Sequence, residues 1–153
     1  MKIDIKKLSD EYKVRKLTEE DIEDIFNLSI KNSLYYKHCP PLVTREGIRD
    51  DMAALPPNIN MSEKYYIGFY RGEDLIAVMD LIDGYPEKSI AFIGFFMTDV
   101  SIQKNGIGTK IINNVCDYLK ILKFKSVQLA WVKGNPQAEY FWIKNNFVKI
   151  KET

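Results

Sequence analysis

The sequence predicts a single α/β domain built on a mixed, mainly antiparallel central sheet with helices packed against it. Three observations carry this. β-rich runs and helical apolar stripes succeed one another along the chain, with no linker, repeat or low-complexity tract between them. Two β-rich runs, 65–70 and 75–81, flank the turn Arg71-Gly72-Glu73-Asp74 and so form a hairpin. The 153 residues are the length of one domain with one core, so residues 1–153 are read as a single unit.

The elements follow in order. Tyr12 to Leu17 reads as a short strand, and Thr18 then caps a helix whose first turn carries Glu19, Glu20 and Asp21. Ile22, Ile25, Phe26 and Ser29 share one face, which takes the first helix to about Asn32. Pro40-Pro41 keep 34–41 out of that helix. Thr44 caps a second helix presenting Ile48, Met52 and Leu55, and Pro56-Pro57 end it. After the hairpin, Gly84-Tyr85-Pro86 turns the chain into a long strand over about 90–100. A helix from Gly108 to about Leu122 buries Ile111, Ile112, Val115, Leu119 and Leu122. A strand over 127–132, a helix over 136–144 opened by proline and a short final strand over 147–150 complete the order β-α-α-β-β-β-α-β-α-β.

Composition excludes several classes of function. Net charge is +1, from 22 basic and 21 acidic residues, so no bulk field draws nucleic acid or an anionic membrane, and neither is expected as a partner. The apolar runs are too short to cross a bilayer, and the charged opening Met1-Lys2-Ile3-Asp4 lacks a signal-peptide core. A cytoplasmic location is expected. One histidine and the two scattered cysteines, Cys39 and Cys116, make a poor zinc site, so no metal is expected.

The chemistry concentrates in the turn Gln103-Lys104-Asn105-Gly106-Ile107-Gly108-Thr109, between an apolar strand and a helix start. Unpaired N–H groups and the positive end of the helix dipole make such a start an anion site. Gly106 and Gly108 allow close approach and unusual φ values, and Lys104 and Lys110 add charge. The spacing is not that of a P-loop, because Thr109-Lys110 follows the glycines. It is not the dinucleotide fingerprint either, which needs a third glycine and an early βαβ unit. Glycine spacing by itself equally serves a plain tight connection.

Gln103-x-x-Gly106-x-Gly108 resembles the Gln/Arg-x-x-Gly-x-Gly/Ala signature of the GNAT family of N-acetyltransferases, and Asn135-Pro136-Gln137-Ala138 with Phe141-Trp142, Lys144 and Asn146-Phe147 is similar to that family's second motif. One strand separates the two motifs, as in the family, and the resemblance runs from about Tyr12 to Ile150. It implies an acyl-CoA N-acyltransferase-like sheet with helices on both faces, and acetyl-CoA as cosubstrate. It also implies direct transfer, in a ternary complex, to a primary amine of a small molecule. Main-chain groups from Gln103 to Thr109 would bind the pyrophosphate. Met97, Thr98 and Asn135 would hold the pantetheine arm where two strands splay, and an N–H there would stabilise an oxyanion, an effect worth about 3 kcal/mol.

The chain departs from the family pattern in three places. Trp142 stands where many relatives carry a tyrosine acid, and Tyr140 lies roughly 200° round the helix from it. Gly94 replaces a glutamate of the fourth strand, which leaves Asp80, expected beside Phe92 across the hairpin, as the candidate base, with Asp99 a weaker one. The family's seventh strand is not expected here, so the sheet would end on an open edge, either covered by a second copy in the expected homodimer or left as a shortened form of the fold. Asn146, in place of the usual glycine, tolerates a left-handed turn.

The acceptor side falls on 34–57 and 79–85, where Tyr35, Tyr36, His38 and Tyr85 supply aromatic faces and hydrogen-bond groups. The acceptor itself is not specified. A non-catalytic acyl-CoA-binding regulatory module, a protein N-terminal or lysine acetyltransferase, and a nucleotide-phosphate-binding protein are the alternatives. Cys116 reads as a small buried residue rather than a nucleophile.

Overall fold

A computed structural model describes residues 3–103, 105–131 and 135–150. Among these residues five strands form one sheet in chain order: β1 (Lys13–Lys16), β2 (Lys64–Arg71), β3 (Asp74–Asp83), β4 (Ile90–Thr98) and β5 (Ser126–Leu129). The first four pair antiparallel and β5 joins β4 in parallel. The described helices cover both faces: α1 (Ile22–Ile30), α2 (Ser33–His38), α3 (Arg45–Ala53), α4 (Ile107–Ile121) and α5 (Pro136–Lys144).

Thr18 and Asp21 form a reciprocal capping box, in which the Asp21 carboxylate takes the Thr18 N–H at 2.8 Å. Arg15 of β1 grips the same carboxylate, 2.7 Å from Oδ1 and 3.1 Å from Oδ2, which locks the entry to α1. Ile22, Ile25 and Leu28 of α1, with Ile48 of α3, pack on Tyr66, Tyr70, Val78 and Met97 of the sheet. On the opposite face Ile111, Ile112, Val115 and Leu119 of α4 and Trp142 of α5 cover Ile67, Phe69, Met79 and Leu81. Phe69 has no exposed surface, and truncating it to alanine is worth about 4 kcal/mol.

Two expectations are corrected. The stretch before Pro40 is not all loop: a short helix, α2, forms over Ser33–His38 and stops before the prolines. Residues 147–150 are not a strand. Asn146 takes φ 72°, Phe147 turns its ring onto Trp142 at 5.2 Å, and no described strand offers 148–150 a ladder, so Val148 and Ile150 stay exposed. The expected end of β5 at Val132 lies outside the described residues.

Candidate active site

The site begins at a fork in the sheet. β4 pairs with β5 only over residues 90–93 against 126–129. Against β3, Phe95 stands opposite Asp80 and Ile93 opposite Leu81, so Gly94 is the extra residue of a β-bulge. A bulge bends its strand, and here the bend coincides with the end of the β4–β5 ladder. Beyond it a cleft of about 590 Å³ opens, lined among others by Gly94, Phe96, Thr98, Trp131, Asn135 and Phe141.

Ladder alternation decides which main-chain groups face that opening. The Asp99 N–H donates to Ile76 O at 2.9 Å, so the Met97 main chain turns to β3, and those of Phe96 and Thr98 turn to the free edge. Of the two expected residues, Thr98 thus faces the free side of β4 together with Phe96, and Met97 faces β3. Met97 also lines the cleft, yet it is buried among the residues under α1 and α3.

At the turn after β4, Gly106 takes φ 75° and immediately precedes α4, leaving the N–H groups of Ile107, Gly108 and Thr109 at a helix start. Gly108 is helical. Its requirement is space, because a Cβ there would lie 3.3 Å from the Phe141 ring. The Gln103 Nε2 donates to Asn32 Oδ1 at 2.6 Å and to Thr98 O at 3.3 Å, while Asn32 Nδ2 donates to Thr98 O at 3.2 Å and Leu28 O at 3.0 Å. Gln103 thus braces the turn against the end of α1. Asn105 is exposed in the turn, and Lys104 lies outside the described residues. Lys110 is engaged by Glu11 at 2.8 Å rather than being held for an anion. Asn135, buried, accepts the Ala138 N–H and caps α5.

Asp80 sits above the fork. A Cβ built on Gly94 would be 3.1 Å from its Oδ2. Lys64 of β2 donates to that oxygen at 2.8 Å, whereas Oδ1 is buried and has no hydrogen-bond partner among the described residues. Burial pushes the Asp80 carboxyl above its ordinary range, and Lys64 opposes the shift. The expected pairing with Phe92 does not form, because the bulge shifts the register: Phe92 faces Ile82, and Phe95 takes its place opposite Asp80.

The surroundings are aromatic and acidic. Tyr35 lines the cleft with its ring 6.0 Å from Phe95, and burial followed by a Cys39 hydrogen bond raises its phenol. Tyr36 and Tyr66 are raised mainly by burial, as is Asp51 of α3. His38, half-buried on α2, is not among the residues lining the cleft. Tyr85 packs edge-on against Phe92 at 5.3 Å, at the far end of β4, and does not line the cleft. Asp99 is paired with Lys31 at 2.8 Å and caps the following turn, which keeps its carboxyl below the ordinary range. Burial raises the Cys116 thiol to about 11. Sequence reading missed Asn32, Lys64, Asp51 and Cys39. Of these, only Lys64, a charge at the head of an otherwise apolar strand, left a usable signal.

A family model described as the GNAT acetyltransferase family matches residues 22–147, and the chain belongs to that family. Among curated proteins no sequence matches. Solved structures of similar fold include an acetyltransferase from Thermus thermophilus, with TM-score 0.79 and 18% identity over 92% of this chain and 89% of that one. Ard1 from Thermoplasma volcanium gives TM-score 0.65 and 18% identity over 92% and 85%. An aminoglycoside acetyltransferase from an uncultured soil metagenomic sample, in complex with sisomicin, gives 0.59 and 16% over 94% and 92%. No described helix is long and apolar enough to cross a membrane.

Proposed function

We propose that the protein moves an acetyl group from acetyl-CoA to a primary amine of a small molecule, by direct attack within a ternary complex. The observation that carries this reading is the fork at Gly94, a cleft-lining residue where the β4–β5 ladder ends and against which the Asp80 carboxylate lies, although Asp80 is not itself among the residues lining the cleft. The residues fit the cosubstrate. N–H groups of 106–109 would take the pyrophosphate at the start of α4, and the main chain of Phe96 with the Thr98 N–H would take the pantetheine arm. Acetyl-CoA supplies an acetyl thioester. Asp80 would accept a proton from the arriving ammonium; the free amine then forms the new C–N bond, the C–S bond breaks, and the second proton lost by the nitrogen passes to the departing thiolate or to water. With a thiol pKa of about 8.5 the thiolate leaves without a protein acid, which suits the burial of Trp142. Tyr35 is the best placed of the expected acceptor contacts, with Tyr36 behind it.

A thermal-shift panel tests the cofactor: coenzyme A and acetyl-CoA should stabilise the protein, and ATP and NAD should not. A screen of amines that follows thiol release should then find an acceptor. Binding without turnover on any small amine or peptide would favour the non-catalytic module.

We also propose a homodimer, supported by the exposure of Val148 (78%) and Ile150 (69%) and by the outer place of β5 in the described sheet.

A further inference from the structure

Lys64 is the least expected residue in the fold. It opens β2, in the interior of the sheet, and its side chain is 2% exposed. Lysine is rarely buried to this degree unless it is paired. In the ladder Lys64 faces Ile82 and Tyr66 faces Asp80, so lysine and aspartate are diagonal neighbours on the face that carries α1 and α3. The ammonium donates to Asp80 Oδ2 at 2.8 Å and lies 5.7 Å from the centroid of the Tyr66 ring.

One oxygen of this carboxylate is held and the other, Oδ1, is buried without a hydrogen bond among the described residues. Oδ2 is the atom nearest the position of a Gly94 side chain, at the fork. The carboxylate is therefore clamped by Lys64 at the oxygen nearest Gly94, while its other oxygen is buried.

We propose that Lys64 is the positioning residue of the transfer reaction: it fixes the Asp80 carboxylate by Oδ2 beside Gly94, where that carboxylate takes the proton of the acceptor amine. This rests on the reading of Asp80 as base. The other titratable groups facing the pair are Asp51 of α3, Tyr66 of β2 and, next to Tyr66, Tyr36 of α2; Gly94 and Phe95 of β4 bring none. Asp51 feels Lys64 as a stabilising charge and Asp80 as an opposing one, so one cation serves two carboxylates.

The test is the pH profile of kcat/KM, with an amine found in the screen, for Asp80→Asn, Lys64→Met and Lys64→Arg. Retained stabilisation by coenzyme A serves as the check of folding. Asp80→Asn should abolish the acid limb. Lys64→Met removes the charge at similar bulk; it should move that limb up by about one pH unit and lower kcat about tenfold below it, with KM changed far less. Lys64→Arg should return the limb toward the wild type. An acid limb that survives Asp80→Asn ends the assignment of the base and this inference with it. A limb lost in Asp80→Asn but unmoved in Lys64→Met overturns the role of Lys64 alone. Should the Lys64 variants not fold, NMR of the wild-type protein decides. A Lys64 side-chain 15N shift that steps with the titration of the Asp80 carboxyl carbon supports the clamp, and one that ignores it overturns it.

Discussion

The Asp80 carboxylate stands where a side chain on Gly94 would begin, with Oδ2 3.1 Å from the place of its Cβ. A carboxylate reaching over from β3 thus lies next to where a side chain on β4 would start. The bulge that makes Gly94 the extra residue also brings it under Asp80. Gly94→Ala should press on the carboxylate and displace it by a few tenths of an ångström. We expect kcat/KM to fall about tenfold while stabilisation by coenzyme A is kept, because small misplacements of a reacting group are costly. Steady-state kinetics beside a thermal shift measures both, and an unchanged kcat/KM would remove Asp80 from the reaction.

At Gly106 the backbone demands a left-handed residue, while no described atom lies within 4 Å of a Cβ there. Substitutions are therefore graded by conformational preference rather than by size. Gly106→Asn should be mildest, Gly106→Ala should cost about 1 kcal/mol, and Gly106→Val more, with stabilisation by coenzyme A weakening in the same order. If valine matched asparagine, the turn would not be what holds the cosubstrate.

Asp21 gives a pH signature of stability. Its hydrogen bond with Arg15 holds its carboxyl below the ordinary range, so its contribution is present above the unfolded pKa of about 3.9 and disappears as pH falls through the folded value. Asp21→Ala should cost about 2 kcal/mol at pH 7 and less at pH 3, below the unfolded value. Urea denaturation at the two pH values provides the comparison; an equal loss at both would deny the ion pair its role.

Sedimentation at tens of micromolar should show a dimer, and Val148→Asp should shift it toward monomer. A wild-type protein that sediments only as monomer counts against the homodimer.

The hairpin, the long α4 and both motif turns are legible because each has a local signature: turn residues, a helical stripe or glycine spacing. The partner of Asp80 is not. A register counted from the turn at Gly84 misses it, since a bulge at Gly94 has no signature that counting can detect. Asn32 reads as the plain end of a helix, because its hydrogen bond to Gln103 spans 71 positions of chain. The run 147–150 has the composition of a strand, but a strand needs a neighbour, and no described one is there. Phe96 escapes notice because edge-facing amides depend on ladder phase, which shifts with the bulge.

The edge of β4 at Phe96 and Thr98, which has no neighbouring strand among the described residues, has a consequence for how the protein can be observed. Amide hydrogens on that edge have no described strand to protect them, and a bound pantetheine arm would take the place of one. Solvent exchange at Phe96 should therefore slow on loading, while Met97, already turned to β3, keeps its rate, so adjacent amides on one strand would serve as indicator and internal standard for occupancy.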